Sequence, residues 1–262
     1  MRRYLRLYLY FLRFSFSRAF EFRVDFWFRV VMDCVFYAVN LVFFTLLYGQ
    51  TRTLGGWTLD QAYIFVAGFF LVDAIHMTVF SNNMWFLPIL VNRGDLDYYL
   101  VRPVSSLFFV SLREFAANSF LNLLIALGIV GWAIGRYPVA LGAVPIATFL
   151  LLIVAGTFIY YCLHILFLLP VFWLHSSRGL AMVFFSIGKL AERPDRIYTG
   201  FTRLLLLTLL PLALVASLPA DTLFAGLSWE RVLHVVTVMA GMFGAVLSVW
   251  RLALRGYASA SS

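Results

Sequence analysis

The feature that most constrains this chain is a run of roughly twenty residues with almost no charge, repeated along its length; 27–48, 62–80 and 141–168 are the clearest examples. Such a run needs an apolar solvent. Inside lipid each backbone N–H and C=O must be satisfied by the spanning element itself, which leaves helices or a closed barrel. A barrel reads as short alternating strands separated by turns, and these runs do not alternate. Composition agrees: 63% of residues are hydrophobic, 12% are charged, and 28 of 262 are phenylalanine. A water-facing surface of this size does not carry that much apolar area. The expected fold class is an all-α membrane protein, with 1–262 forming a single transmembrane domain.

The net charge of +8 does not point to nucleic acid. Nearly all the basic residues are arginines placed just outside apolar segments, where orientation of the spans requires them. Arg2, Arg3, Arg6, Arg13 and Arg18 interrupt the first apolar stretch, so it lacks the clean core of a signal peptide. Residues 1–23 read instead as an amphipathic helix lying along the cytoplasmic interface. Spans follow at 27–48, 62–80, 107–134, 141–168 and 231–254. Between 170 and 228 two weaker runs, 171–190 and 201–219, compete to be the fifth crossing. Choosing 201–219 puts Arg178, Lys189, Arg193 and Arg196 inside and leaves Arg52, Arg136 and Arg231 outside, as the charge rule prefers. Choosing 171–190 makes the following proline-punctuated stretch a re-entrant hairpin on the outer side, allowed if protein or a water-filled cavity covers it. Either choice gives six crossings with both termini cytoplasmic.

Several chemistries lack their motifs. Gly188-Lys189 is followed by Leu190 and has no upstream glycine, so there is no phosphate loop for ATP. His76, His164, His175 and His234 are scattered without metal-ligand spacing. No nucleophile elbow or S-x-x-K pair is present. Neither a catalytic residue nor a bound cofactor or metal is expected. Cys34 and Cys162 lie within apolar runs and read as small buried packing residues.

Polar groups at membrane depth are costly and mark contacts or pathways. Arg29 and Asp33 lie a turn apart on the first span and neutralise each other. Asp73 shares a face of the second with His76 and Asn83, which suits an interhelical hydrogen bond. On the third, Ser111, Glu114, Asn118 and Asn122 form a stripe that either ties helices together or lines an aqueous path. Small residues at Ala240, Gly244 and Ser248, and at Gly131 and Gly135, read as notches for close helix packing within the subunit or across a dimer.

The longest polar interruption in the first two-thirds of the chain is 92–103. Arg93, Gly94, Asp95, Leu96, Asp97, Arg102 and Pro103 alternate there with Tyr98, Tyr99, Leu100 and Val101, the pattern of a short amphipathic helix offered to a partner. This stretch, the Phe172-Trp173 pair, Arg193-Pro194 with Ile197-Tyr198 leading through Arg203 to Pro211 and Pro219, and the ending 256–262 together resemble the permease subunits of ATP-binding-cassette transporters of the type-2 class. The resemblance implies six spans, an interfacial N-terminal helix over 1–23, a cytoplasmic coupling helix in 92–103 that docks on an ATPase, and a partly embedded outer segment over 191–228, with 171–190 as the fifth crossing. It also implies partners: two separate ATPase chains that use ATP and Mg, and a second copy or a homologous permease. The setting is a bacterial inner membrane and the expected activity is ATP-driven export, with no chemistry on the substrate. Two other readings compete with it. A secondary transporter would load a proton on Asp73, and an assembly factor or intramembrane enzyme would act without ATP.

Overall fold

A computed structural model describes residues 2–19, 23–174 and 178–257, without the side chains of Arg2, Arg18, Ala19, residues 23–26, Asn118 and Arg178. Residues 20–22 of the expected N-terminal helix and 258–262 of the C-terminal ending lie outside the described residues. Within these bounds the protein is helical, and a lone bridge between Leu54 and Trp57 is its only β contact. Four helices are long and apolar enough to cross a membrane: Trp27–Gly49, Leu59–Arg93, Ala143–Leu174 and Trp229–Gly256. We label the elements α1 (Arg2–Ala19), α2 (Arg23–Gly49), α3 (Leu59–Arg93), α4 (Asp97–Leu100), α5 (Ser106–Leu112), α6 (Phe120–Arg136), α7 (Ala143–Leu174), α8 (Arg178–Gly188), α9 (Gly200–Leu207), α10 (Ser217–Ala225) and α11 (Trp229–Gly256).

The second span continues well past 80. A capping box starts α3: Thr58 Oγ1 accepts from the Gln61 N–H and Gln61 Oε1 accepts from the Thr58 N–H. The helix then runs 35 residues to Arg93, about 52 Å and well beyond a hydrocarbon core of about 30 Å. At Met77–Ser81 it widens into a π-turn. Thr78 explains the widening, because its carbonyl accepts from the Ala116 N–H at 2.8 Å and so turns toward a neighbouring segment. Its hydroxyl donates back to the Ala74 carbonyl at 2.6 Å. Gly94 ends the helix in the left-handed conformation, φ 78°, which glycine adopts without steric cost.

The expected span 107–134 is not one helix. It divides into α5 and α6, with irregular backbone from Arg113 to Ala116 and a 3₁₀ turn at Ala117–Ser119. The backbone groups freed by the break find partners on α1 and α3, which is what permits a break at membrane depth. Asn83 on α3 accepts from the Glu114 N–H and donates to the Glu114 carbonyl, both at 2.8 Å. Ser15 on α1 accepts from the Phe115 N–H at 3.2 Å.

Residues 201–219 are likewise discontinuous, since α9 stops at Leu207, a 3₁₀ turn spans Leu212–Leu214, and α10 begins at Ser217. The turn between them presses onto α7 at Gly156. A Cβ there would lie 2.6 Å from the Val215 carbonyl oxygen and 2.9 Å from that of Leu214. Gly156 lies 13 residues into α7, about 20 Å from its start, so the turn reaches deep along the bundle. Around this contact α3, α7, α10 and part of α6 form the larger core, while a second core joins the end of α3 to α5, the end of α7 and the last turns of α11.

Charged groups mark one end of the bundle. Arg136 pairs with Asp60 at 3.2 Å and Arg203 with Asp195 at 3.1 Å, and Asp221 takes both Arg196 and Arg231. Charge counting had put Arg196 and Arg231 on opposite sides when 201–219 was the crossing; in the fold they share one carboxylate. The Arg196 guanidinium also lies 5.8 Å from the Trp57 ring, so the loop after α2 belongs to the same end.

Candidate functional site

At the opposite end, 92–103 forms a compact turn and not an extended loop. The Gly94 reversal leads into α4, a single helical turn. Leu96 is fully buried and Tyr99 nearly so, and these two side chains hold the segment to the second core. Tyr99 accepts a hydrogen bond from Arg113, and its ring lies 5.0 Å from that of Phe109. Arg102 donates through Nε to the Tyr98 carbonyl at 3.2 Å and stacks 5.2 Å from the Phe109 ring. Ser105 then caps α5, accepting from the Phe108 N–H.

With one face anchored, the other faces out. Val101 is 83% exposed and Tyr98 70%; Leu100, Arg93, Arg102 and Pro103 are also exposed, and Gly94, Asp95 and Asp97 are half-buried. An outward apolar patch rimmed by charges on an anchored turn has the composition that protein interfaces share.

The C-terminal residues singled out in the sequence meet this segment in space. The ring of Phe172 lies 5.8 Å from Trp250 and 5.9 Å from Tyr257, and Trp250 donates to Ser106 Oγ at 3.3 Å. The buried Tyr257 hydroxyl sits near Asp97 and Asp95. Burial first, and then these two carboxylates, hold its phenol above the usual range. A load on α4 therefore bears on α3, α5, the end of α7 and the end of α11.

Among the described side chains the interior polar residues form separate contacts. The break before α6 turns Ser111, Glu114 and Asn122 away from one another. Ser111 Oγ bonds the Tyr161 hydroxyl at 2.7 Å, Glu114 has its backbone held by Asn83 and its carboxylate 3.7 Å from Arg113, and Asn122 donates to Asp33. Asn118 falls outside the described side chains. Asp33, read in the sequence as the partner of Arg29, thus reaches from α2 to α6. The Asn122 Oδ1 is buried without a partner.

His76 bonds His164 on α7, Nε2 to Nδ1 at 3.2 Å, and His164 stacks on Phe184 of α8 at 4.0 Å between centroids. Sequence reasoning missed this pair because 88 residues separate its members. Asp73 is half-buried one turn before His76. Among the described residues no three His, Cys, Asp or Glu side chains gather to hold a metal. One packing expectation is corrected and another is narrowed to its dimer alternative. Cys34 is exposed and only Cys162 is buried, because α2 turns its Cys34 face away from the bundle. Gly131, Gly135 and Gly244 meet nothing within 4 Å of an added Cβ, so they are not notches within the subunit.

Residues 34–261 match the family model described as ABC-2 family transporter protein. No curated protein and no solved structure matches the chain.

Proposed function

The chain belongs to the ABC-2 transporter family, a multi-pass membrane permease, and from that premise we propose that it forms half of an export pathway driven by two separate ATPase subunits. The other half is a second copy or a homologous permease. ATP and Mg are bound by the partner ATPases and not by this chain. We further assign six crossings: α2, α3, α5 with α6, α7, the segment from α8 through Lys189–Glu192, and α11. In this reading α9 and α10 form a re-entrant hairpin entering from the outer side, and α1 lies on the cytoplasmic face of a bacterial inner membrane with both termini cytoplasmic.

The observation that carries the proposal is the rigid turn at 94–103, which presents Tyr98 and Val101 outward while Leu96 and Tyr99 fix it to the bundle. ATP-driven closure of the ATPases pushes such a turn as a unit, and the helices joined to it move as rigid bodies between states. Grouping the outer-end arginines with their carboxylates supports the hairpin assignment, since Arg196 and Arg231 share Asp221. Uncovered glycines on α6 and α11 suit close approach of a second permease.

The test is co-purification with the ATPase in mild detergent. Tyr98→Ser with Val101→Ser removes the outward apolar patch without touching the anchors. We expect the double variant to stay in the membrane with unchanged thermal stability and to lose most of its bound ATPase. Full retention of the ATPase overturns the docking assignment.

A further inference from the structure

Between α1 and the segment after α4 lies a cavity of about 550 Å³. Arg3 and Arg6 enter it from α1 and Arg102 from the opposite wall, and Leu7, Val104 and Phe109 supply apolar lining. Three arginines thus line one space, and among the described residues no carboxylate does. Among the described residues Arg3 and Arg6 enter no ion pair, and Arg102 hydrogen-bonds the Tyr98 carbonyl through Nε while its guanidinium lies over the Phe109 ring. Like charges held around a common space repel one another until an anion joins them.

Both walls are fixed, so the cavity is a built feature. The Ser105 N–H donates to the Tyr4 hydroxyl at 3.1 Å, and the rings of Tyr4 and Phe108 meet edge to face at 4.8 Å, as those of Phe11 and Phe109 do at 5.1 Å. Elsewhere on its circumference α1 turns Leu5 and Leu9 outward, 62% and 56% exposed. A helix that carries both arginines and exposed leucines suits the membrane interface, where its guanidinium groups reach headgroup depth. Guanidinium forks match phosphate oxygens, and an apolar wall beside them accepts the start of an acyl chain.

We propose that this cavity binds the phosphate headgroup of an anionic phospholipid, clamped between α1 and the turn that follows α3. The lipid then ties the interfacial helix to the segment assigned to the ATPase, although the site is complete in this chain alone.

The experiment is native mass spectrometry of the purified full chain, without ATPase, titrated with phosphatidylglycerol or phosphatidylcholine, with inorganic phosphate as competitor. The variant is Arg3→Gln with Arg6→Gln and Arg102→Gln; the control, Arg52→Gln with Arg251→Gln and Arg255→Gln, removes the same charge elsewhere. At about fivefold per arginine, the cavity variant should bind phosphatidylglycerol about a hundredfold more weakly. The control should bind as wild type does, phosphatidylcholine should not distinguish the three proteins, and millimolar phosphate should not displace the lipid. Arg102→Gln alone should cost about fivefold, which keeps the test open if the triple variant folds poorly. Equal loss in both triple variants overturns the site in favour of general charge attraction, and displacement by phosphate overturns it in favour of a free-anion site. Unchanged lipid binding with loss of the ATPase in a separate pull-down overturns it by giving the arginines to the protein partner. Because the lipid assay contains no ATPase, failure of the transporter reading leaves its result intact.

Discussion

Replacing Gly156 by alanine adds one methyl group where the Val215 carbonyl oxygen would stand 2.6 Å away, with the Leu214 oxygen and Val215 Cα at 2.9 Å. These are backbone atoms, so no rotamer change relieves the contact. Restoring ordinary van der Waals separation requires a retreat of about 0.8 Å. Overpacking of this kind costs about 1–3 kcal/mol, and alanine returns about 0.5–1 kcal/mol through its better helix propensity. The net loss is about 0–2.5 kcal/mol, at most about 10 °C in apparent Tm for a chain of this size. Gly128 provides the comparison, because it lies mid-helix in α6 with nothing within 4 Å of an added Cβ. Gly128→Ala should leave Tm unchanged or raise it slightly. The buried Cys162 thiol supplies the assay in a Cys34→Ala background: thiol-reactive fluorescence during heating reports when the core opens. The turn between α9 and α10 is refuted as a close-packed neighbour of α7 if Gly156→Ala melts together with Gly128→Ala.

Asn83→Leu should lower stability by about 2–3 kcal/mol in the same assay, because the Glu114 N–H and carbonyl lose their partner in a buried site; Asn83→Gln, which keeps both the donor and the acceptor, should lose less. An equal loss in the two variants assigns the effect to volume and not to the clasp. Asp221→Asn should loosen Arg196 and Arg231 together and cost about 1 kcal/mol at low salt, less at high salt because the pairs are partly exposed; a salt-independent loss contradicts the ion-pair account. Leu96→Ala should cost about 2–4 kcal/mol by opening a cavity beneath α4, and ATPase binding should fall with it, in contrast to the Tyr98 and Val101 changes, which leave the melting curve in place.

Hydropathy placed α2, α3, α7 and α11 to within a few residues at most of their ends, because a sum over twenty side chains is insensitive to any one of them. The same averaging hid the break between α5 and α6, where both flanks are apolar and only the adjacent charges Arg113 and Glu114 mark the discontinuity. The extension of α3 past Ser81-Asn82-Asn83 was hidden for the opposite reason. Those residues and Pro88 read locally as the end of a helix, but Asn83 turns its amide to the Val79 and Glu114 carbonyls and the helix continues. His76 with His164, Asp33 with Asn122, and Arg196 with Asp221 and Arg231 join distant parts of the chain, and no periodicity within one segment encodes such pairs. The turn at 94–103 was legible because its charges, tyrosines and Gly94 fall within a dozen residues; which faces are anchored and which are free emerged only with Leu96 and Tyr99 in place.

The π-turn at Met77–Ser81 divides α3 into unequal arms, and the shorter one, Asn82–Arg93, is 12 residues long. Its length of about 18 Å makes it a crank, and a swing of ten degrees about the wide turn carries its tip about 3 Å. Asn83 stands at the pivot and grips the break between α5 and α6, so the throw of the crank is geared to a second helix at the fulcrum itself. Under the proposed docking, movement applied outside the membrane would in this way reach the middle of the bundle without any helix having to slide along its axis.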